Sequence, residues 1–149
     1  MTETQGLAEP ASRGAGALAK EYVALWNEPD AGRRRRMIAE LWVPGGRHIL
    51  QPPQEMRAIA AQPGIAMTAM LTAHGHGEIE ARAAGVHAHW VGAEGLSFRG
   101  RDDADRLGDV VKLHWEAVDE AGALFGVGLS FLVLAADGRI ERDYTFIVA

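Results

Sequence analysis

The second half of the chain is a succession of strand-like segments separated by short turns. The turns contain aspartates and glycines, which tolerate turn and left-handed backbone geometry, so consecutive antiparallel hairpins are the economical interpretation. The predicted strands are Leu96 to Arg101, Leu107 to Val118, Ala123 to Leu134 and Ile140 to Val148. Because this meander follows a helical first half, the sequence predicts an α+β fold.

Apolar residues in the first half recur at helical spacing. A first helix is predicted from about Ala15 to Asn27, and a second begins after Asp30 as its N-cap and ends at Pro44. A third helix is predicted from Glu78 to Val91, although Gly85 weakens its middle. The apolar stripes of the first two helices are Leu18, Tyr22, Leu25 and Trp26, followed by Met37, Ile38, Leu41 and Trp42.

The region between the second and third predicted helices has no clear period. Arg47 to Gln51 is predicted to be a short strand, closed by Pro52 and Pro53 because neither proline suits a central ladder. The segment from 54 to 77 is rich in methionine and apolar but irregular. We expect its part from Met56 to Leu71, which includes Met67, to form a mobile cover over a pocket.

Composition limits the classes of function. With 149 residues and 48% hydrophobic content, the chain is expected to form one domain over residues 15–149, preceded by a disordered tail over residues 1–14. A net charge of -5 disfavours nucleic acid and anionic membranes as partners. No segment resembles a signal peptide or a membrane span, which favours a cytoplasmic location.

The residue types available for chemistry are also limited. The chain has no cysteine, which excludes disulfides, thiolate metal sites and a cysteine nucleophile. His87 and His89 are poorly spaced for one ion, since residues two apart on a helix point in nearly opposite directions, and His74 and His76 lie among glycines. We therefore expect no metal and no other cofactor.

Two neighbouring strands leave open which face of the sheet is the inside. Residues 111, 113 and 115 are apolar, whereas Lys112, His114 and Glu116 point the other way and could simply face water. The next strand carries Gly126, Gly128 and Ser130 on one face, which leaves room for an approaching ligand. If that face is concave, the polar residues of the first strand line a cavity beside it.

Several strings resemble the nuclear transport factor 2-like superfamily, which includes SnoaL-like polyketide cyclases, ketosteroid isomerases and limonene epoxide hydrolases. The segment from Glu21 to Asp30, reading EYVALWNEPD, is similar to the first helix and turn of that group. The string from Asp137 to Ile140 is similar to its last hairpin. The resemblance implies a cone-shaped, curved antiparallel sheet wrapped by three helices around one small-molecule pocket.

The resemblance also suggests which activities fit. Tyr22 matches the oxyanion tyrosine of ketosteroid isomerases, but Gln51 and Ser130 stand where their two aspartates would fall. The string Arg142-Asp143-Tyr144 matches the last strand of limonene epoxide hydrolases, whereas their Arg-x-Asp positions would fall on Lys112 and His114. SnoaL-like cyclases, which place acid–base residues in an apolar pocket, are the closest remaining analogy.

We therefore expect a protein with a small-molecule pocket. It is either an acid–base enzyme that acts on an apolar carbonyl compound or a non-catalytic ligand-binding or dimerisation module. In the enzyme hypothesis His114 is the base, Asp143 orients it within hydrogen-bond reach, Lys112 polarises a substrate oxygen and Tyr22 donates a hydrogen bond. The expected pocket-lining residues are Trp26, Gln51, Ser130, Glu116 and Met67. A homodimer is expected through the face containing Val111, Leu113, Trp115, Val127, Leu129 and Phe131.

Overall fold

The computed structural model describes residues 14–52 and 71–149. Three α-helices are present in these ranges: α1 (Ala15–Asn27), α2 (Ala31–Leu41) and α3 (Gly75–Val86). Asp30 caps α2 as predicted, because its side chain accepts a hydrogen bond from the backbone N–H of Arg33. The third helix begins three residues before the predicted start and continues as a π-helical segment, His87–Ala93. In the described ranges, no helix combines the length and apolarity needed to span a bilayer.

Within residues 14–52 and 71–149, seven strands form one curved sheet that does not close on itself, which confirms the α+β class. Its order is β2-β1-β7-β6-β5-β3, and β4 also pairs with β5. The β1–β7 pair is parallel, whereas the sequence predicted an antiparallel sheet throughout. The strands are β1 (Trp42–Leu50), β2 (Leu71–His74), β3 (Ser97–Gly100), β4 (Asp105–Leu107), β5 (Val110–Val118), β6 (Leu124–Leu134) and β7 (Ile140–Ile147).

Strand β1 starts earlier than predicted. Trp42 is its first residue rather than the end of α2, and the strand passes through Pro44, Gly45 and Gly46 instead of beginning after them. Its pairing with β7 shifts register between Trp42 and Arg47, so the extra residues are accommodated by an irregularity in the ladder. Gly46 is needed there because a Cβ would lie 2.6 Å from Cδ1 of Trp42.

Two other predicted boundaries are wrong. The long strand predicted from Leu107 to Val118 is two strands, β4 and β5, separated by a turn at Gly108 whose φ is +60°. Residues 71–77, assigned to the irregular region from the sequence, form β2 and the start of α3. The remainder of the predicted cover, including Met67, lies outside the described residues.

The pairing of β5 with β6 decides which face is the inside. Trp115 is opposite Gly128 and Leu113 is opposite Ser130, so these residues share the inner face packed under the helices. His114 is opposite Leu129, and Lys112 is opposite Phe131, on the outer face. The expectation that Lys112, His114 and Glu116 share a face with Gly128 and Ser130 is therefore wrong. A one-residue slip in assumed register exchanges the two faces of a strand.

Gly128 makes room for a side chain rather than for a ligand. A Cβ at this position would lie 2.0 Å from Cζ2 of Trp115. The Trp115 indole fills this space, and its Nε1–H donates a 3.1 Å hydrogen bond to Oγ of Ser130. The inner face of β5 and β6 thus supplies one tightly packed apolar wall with a single polar position, Ser130.

Candidate active site

A buried polar cluster lies on the inner face of the sheet, where the Tyr22 side chain of α1 reaches residues of β6 and β7. Asp143 and Ser130 have no exposed surface, and Tyr22 and Thr145 are also buried. The Tyr22 hydroxyl donates to Oδ2 of Asp143 at 2.6 Å, and the Thr145 hydroxyl donates to Oδ1 of the same carboxyl at 2.7 Å. Both carboxyl oxygens therefore accept a short hydrogen bond.

The protons of this cluster all point towards Asp143. Because the Thr145 hydroxyl donates to the carboxyl, its oxygen must accept the 2.7 Å bond from Ser130. Ser130 in turn accepts from the Trp115 indole. The chain of donors runs from Trp115 through Ser130 and Thr145 to Oδ1, an arrangement that favours a charged carboxylate.

Burial opposes this preference. Burial raises the pKa of the Asp143 carboxyl to about 7, even though the bonds from Tyr22 and Thr145 and the charge of Arg82 act in the opposite direction. Burial, with the neighbouring Asp143 charge, also raises the pKa of Tyr22 well above its ordinary value of 10. Asp143 can therefore gain or lose a proton near neutral pH while Tyr22 remains a donor.

His48 and Arg82 extend the cluster towards β1 and α3. His48 is paired with Asp143 in the parallel β1–β7 ladder, and its Nε2 lies 3.6 Å from Oδ2 of the carboxyl. Nη1 of Arg82 lies 2.9 Å from Nδ1 of His48. Burial, followed by the charge of Arg82, lowers the pKa of His48 to about 3. The imidazole is therefore neutral at neutral pH and forms no ion pair with Asp143.

The structure brings together several residues predicted from the sequence. Tyr22, Asp143 and Ser130 meet in the cluster, and the Trp26 ring packs 5.0 Å from the His48 ring and 6.1 Å from the Tyr22 ring. Gln51 lies at the end of β1, where its side chain accepts a hydrogen bond from the Ile147 backbone. Gln51 thus has a structural contact of its own, at the edge of this region.

The other predicted residues lie elsewhere. His114 does not meet Asp143: its Nδ1 lies 2.6 Å from Oδ2 of Asp103, at the edge of β5 between its pairings with β3 and β4. Lys112 is exposed, and Glu116 pairs with Arg99 and Arg101 on the outer face. The predicted His114–Asp143 contact is wrong. His48 occupies the place beside Asp143 that was assigned to His114.

The His114–Asp103 pair borders a separate cleft of about 680 Å³ between α1 and the β3–β4 connection. Small residues of α1 form one wall, and residues 100–104 form the other. The two side chains are partly exposed, at 30% and 40%. Water screens such a pair, and the buried cluster around Asp143 therefore has the stronger electrostatic perturbation.

Sequence reasoning did not identify His48, Arg82 or Thr145. Thr145 could have been found by alternation, since it follows Asp143 by two residues on one strand. His48 follows Arg47 in a predicted strand, but the partner strand is nearly a hundred residues away and cannot be inferred from local pattern. Arg82 gives no local signal on an alanine-rich helix. Within the described part of the chain, no group of three possible ligands could hold a metal ion.

The described architecture is shared with known structures. The chain has the nuclear transport factor 2-like, SnoaL-like fold. A candidate isomerase of the SnoaL-like family from Agrobacterium tumefaciens has a TM-score of 0.72 at 21% identity, covering 91% of this chain and 97% of that one. No family model and no curated protein matches the sequence.

Two further SnoaL-like structures show the same similarity at lower identity. A candidate SnoaL-like polyketide cyclase from Jannaschia sp. CCS1 has a TM-score of 0.58 at 16% identity, covering 94% of this chain and 91% of that one. A SnoaL-like protein of unknown function from Burkholderia thailandensis E264 has a TM-score of 0.62 at 15% identity, covering 94% and 100%. At these sequence identities the similarity establishes the fold alone. Any activity must be argued from the residues of the site.

Proposed function

We propose that this SnoaL-like protein is an acid–base enzyme acting on a small, largely apolar carbonyl compound. Asp143 takes a proton from a carbon next to the carbonyl group and returns it to the product. The observation that carries the proposal is a fully buried carboxyl that accepts two short hydrogen bonds. Its burial raises the pKa of Asp143 to about 7. A general base works best when its pKa is close to the working pH.

The surroundings of Asp143 support an apolar substrate. Trp26, Trp42 and Tyr22 form the aromatic side of the cluster, and Leu113 and Trp115 form the sheet side. His48, which lies beside Asp143, and Trp26, which packs against His48, are buried together with Asp143. Isomerase and polyketide cyclase, the names of two similar structures, are reaction classes compatible with this chemistry.

Solvent deuterium exchange tests the reaction class with a panel of model compounds in place of the natural substrate. Cyclic ketones and 1,3-diketones would be incubated with the protein in D₂O, and deuterium at the α-carbon followed by NMR. We expect Asp143→Asn to slow exchange by roughly 100-fold or more, since a positioned general base contributes about that much. Asp103→Asn is the matched control, because it removes the partner of His114 and leaves the buried cluster intact.

The two variants also distinguish Asp143 from His114 as the catalytic base. Exchange that survives Asp143→Asn but disappears in Asp103→Asn would reject Asp143 as the base and move the chemistry to His114. The absence of catalysed exchange with every compound on the panel would contradict the carbonyl assignment. Folding of both variants is checked by their circular dichroism spectra and unfolding midpoints.

A second candidate function is ligand binding without chemistry, and the cleft between α1 and the β3–β4 connection favours it. Its volume of about 680 Å³ falls within the range of small-molecule sites. If the cleft is the binding site, a ligand would perturb NMR signals of Val23, Asn27 and His114. A ligand of the buried site would instead perturb those of Trp26 and His48.

The association of two copies of the chain is also a proposal. Val111 and Leu113 are buried in the core, so they cannot form the predicted dimer surface. Leu129 and Phe131 lie on the outer face, next to Phe146, which is 43% exposed. We define the outer apolar patch as Leu129, Phe131, Tyr144 and Phe146 and propose that it mediates homodimer formation. The predicted cytoplasmic location stays a prediction.

A further inference from the structure

Arg82 of α3 makes an unusual set of contacts with the strand that carries His48. Its Nη1 donates to the backbone carbonyls of His48 and Leu71, at 2.9 and 3.0 Å, and also lies 2.9 Å from Nδ1 of the His48 ring. The side chain is half-buried. Arg82 therefore contacts both the backbone and the ring of the residue beside Asp143.

The contact with the ring restricts where His48 carries its proton. A guanidinium group has only donors, so a hydrogen bond between the two groups requires Nδ1 of His48 to accept. Nη1 has two hydrogens for its three neighbours, so one of these hydrogens is shared between two acceptors. A histidine whose Nδ1 accepts is neutral and bears its single proton on Nε2. That nitrogen lies 3.6 Å from Oδ2 of Asp143, slightly beyond hydrogen-bond length.

The groups packed around His48 agree with this assignment. Among the described residues, the charged groups facing it are Arg82 from α3 and Asp143 from β7. Trp26 of α1 and Trp42 of β1 contribute rings at 5.0 and 6.4 Å between centroids. The lowered pKa of His48 supports a neutral ring, and the contact with the donor-only guanidinium favours the tautomer that carries its proton on Nε2.

We infer that Arg82 is a positioning residue that fixes His48 as a neutral Nε2–H donor next to the Asp143 carboxylate. This inference assigns a role within the proposed reaction and rests on that function for its catalytic part. When Asp143 removes the α-proton, the C–H electron pair moves to form an enolate and the proton stays on the carboxyl. His48 Nε2–H then donates to the enolate oxygen, and Asp143 later returns the proton to carbon.

The charge of Arg82 acts on both His48 and Asp143. After burial, it is the second cause of the lowered pKa of His48, and it also lowers the pKa of Asp143. Arg82 thus helps to keep His48 an uncharged donor, while burial holds the pKa of Asp143 near 7 despite the neighbouring cation.

Nitrogen-15 NMR of the histidine-labelled full-length protein tests the assignment directly. The His48 signals are identified by their loss in His48→Asn. We expect a pyridine-type Nδ1 and a pyrrole-type Nε2 in the wild-type protein from about pH 5 to about pH 8. A pyrrole-type Nδ1, or an imidazolium in this range, would overturn the inference without any variant of Arg82 having to fold.

Variants of Arg82 distinguish positioning from simple structural support. In Arg82→Met we expect the pyridine-type Nδ1 signal to be lost near neutral pH, with Arg82→Lys restoring it in part and exposed Arg36→Met leaving it unchanged. A residue that only ties β1 to β2 would lower stability but leave the tautomer unchanged, and that result would reject the positioning role.

Exchange kinetics test the catalytic part of the inference. They also distinguish a failure of this inference from a failure of the proposed function. If a panel compound is a substrate, Arg82→Met should lower kcat by roughly 100-fold with little change in KM. It should also shift the acid limb of the pH profile upwards, because the charge of Arg82 lowers the pKa of Asp143 and its loss raises that pKa. A normal kcat in that variant would overturn the catalytic part of the inference. If no compound exchanges while the NMR tautomer is as expected, the proposed reaction fails and the Arg82–His48 assignment stands.

Discussion

The carboxyl group of Asp143 changes its acidity when the chain folds, because folding removes it from water. Its ordinary pKa is 3.8 and its folded value is about 7. Between these values the folded protein binds a proton that the unfolded chain has released, so the free energy of unfolding falls as pH rises. The hydrogen bonds from Tyr22 and Thr145 reduce this effect without cancelling it.

Asp143→Asn should remove this pH dependence. The free energy of unfolding of the variant, relative to wild type, should increase from about pH 4 to about pH 7 and then level off, as urea titrations at several pH values would show. His48 has its own dependence in the opposite sense, since its pKa is lowered, but it is present in both proteins and cancels in the difference. The exposed Asp109→Asn is the control. A constant difference across this range would mean that Asp143 is normally ionised in the folded protein.

The residues of the site differ in how much the sequence says about them. Tyr22 lies on a helical stripe, and Asp143 lies in a string that resembles a known family, so both could be assigned before the fold was known. Ser130 was found from its place beside glycines in a strand. His48 and Arg82 could not be found, because their partnership depends on the β1–β7 pairing and on the position of α3. Neither feature has a local signature.

At the level of elements, strand register was the step that sequence could not supply. The alternation within β5 and within β6 was identified correctly, but alternation does not say which residue of one strand faces which of the other. The helices and the C-terminal hairpins followed from periodicity and turn residues. Periodicity and turn residues did not predict the parallel β1–β7 pair, because that pairing joins distant parts of the chain. They also did not predict the division between β4 and β5, because it depends on a single glycine turn at Gly108.

The β5–β6 register places Trp115 over Gly128, and this contact predicts the effect of enlarging the glycine. Gly128→Ala would place a methyl group 2.0 Å from the indole, which must then move and lose its bond to Ser130. We expect a loss of roughly 1–3 kcal/mol in stability, typical of overpacking, together with a changed tryptophan emission spectrum. Gly126→Ala is the matched control, since the nearest atom to its Cβ would be 3.6 Å away. Equal effects of the two changes would argue against the Trp115–Gly128 contact.

For the whole molecule, the sheet has two faces with different roles. The inner face is covered by α1, α2 and α3 and contains the polar cluster. The outer face of β6 and β7 carries the outer apolar patch, in which the Phe131 and Phe146 rings meet edge to face at 5.9 Å. The separation means that association through the outer face leaves the cluster around Asp143 covered by the same helices.

The outer apolar patch predicts a dimer that a single charge should disrupt. Phe146→Glu places a carboxylate in the patch, where pairing of two copies would bring like charges together in a desolvated interface. We expect wild-type protein to show the mass of a dimer by light scattering at micromolar concentration, and the variant to show that of a monomer. Leu107→Glu is the control, because Leu107 is 84% exposed and lies on β4, which β5 separates from the strands that carry the patch. A monomeric wild type, or a dimer disrupted by Leu107→Glu and not by Phe146→Glu, would show that the outer face of β6 and β7 is not the interface.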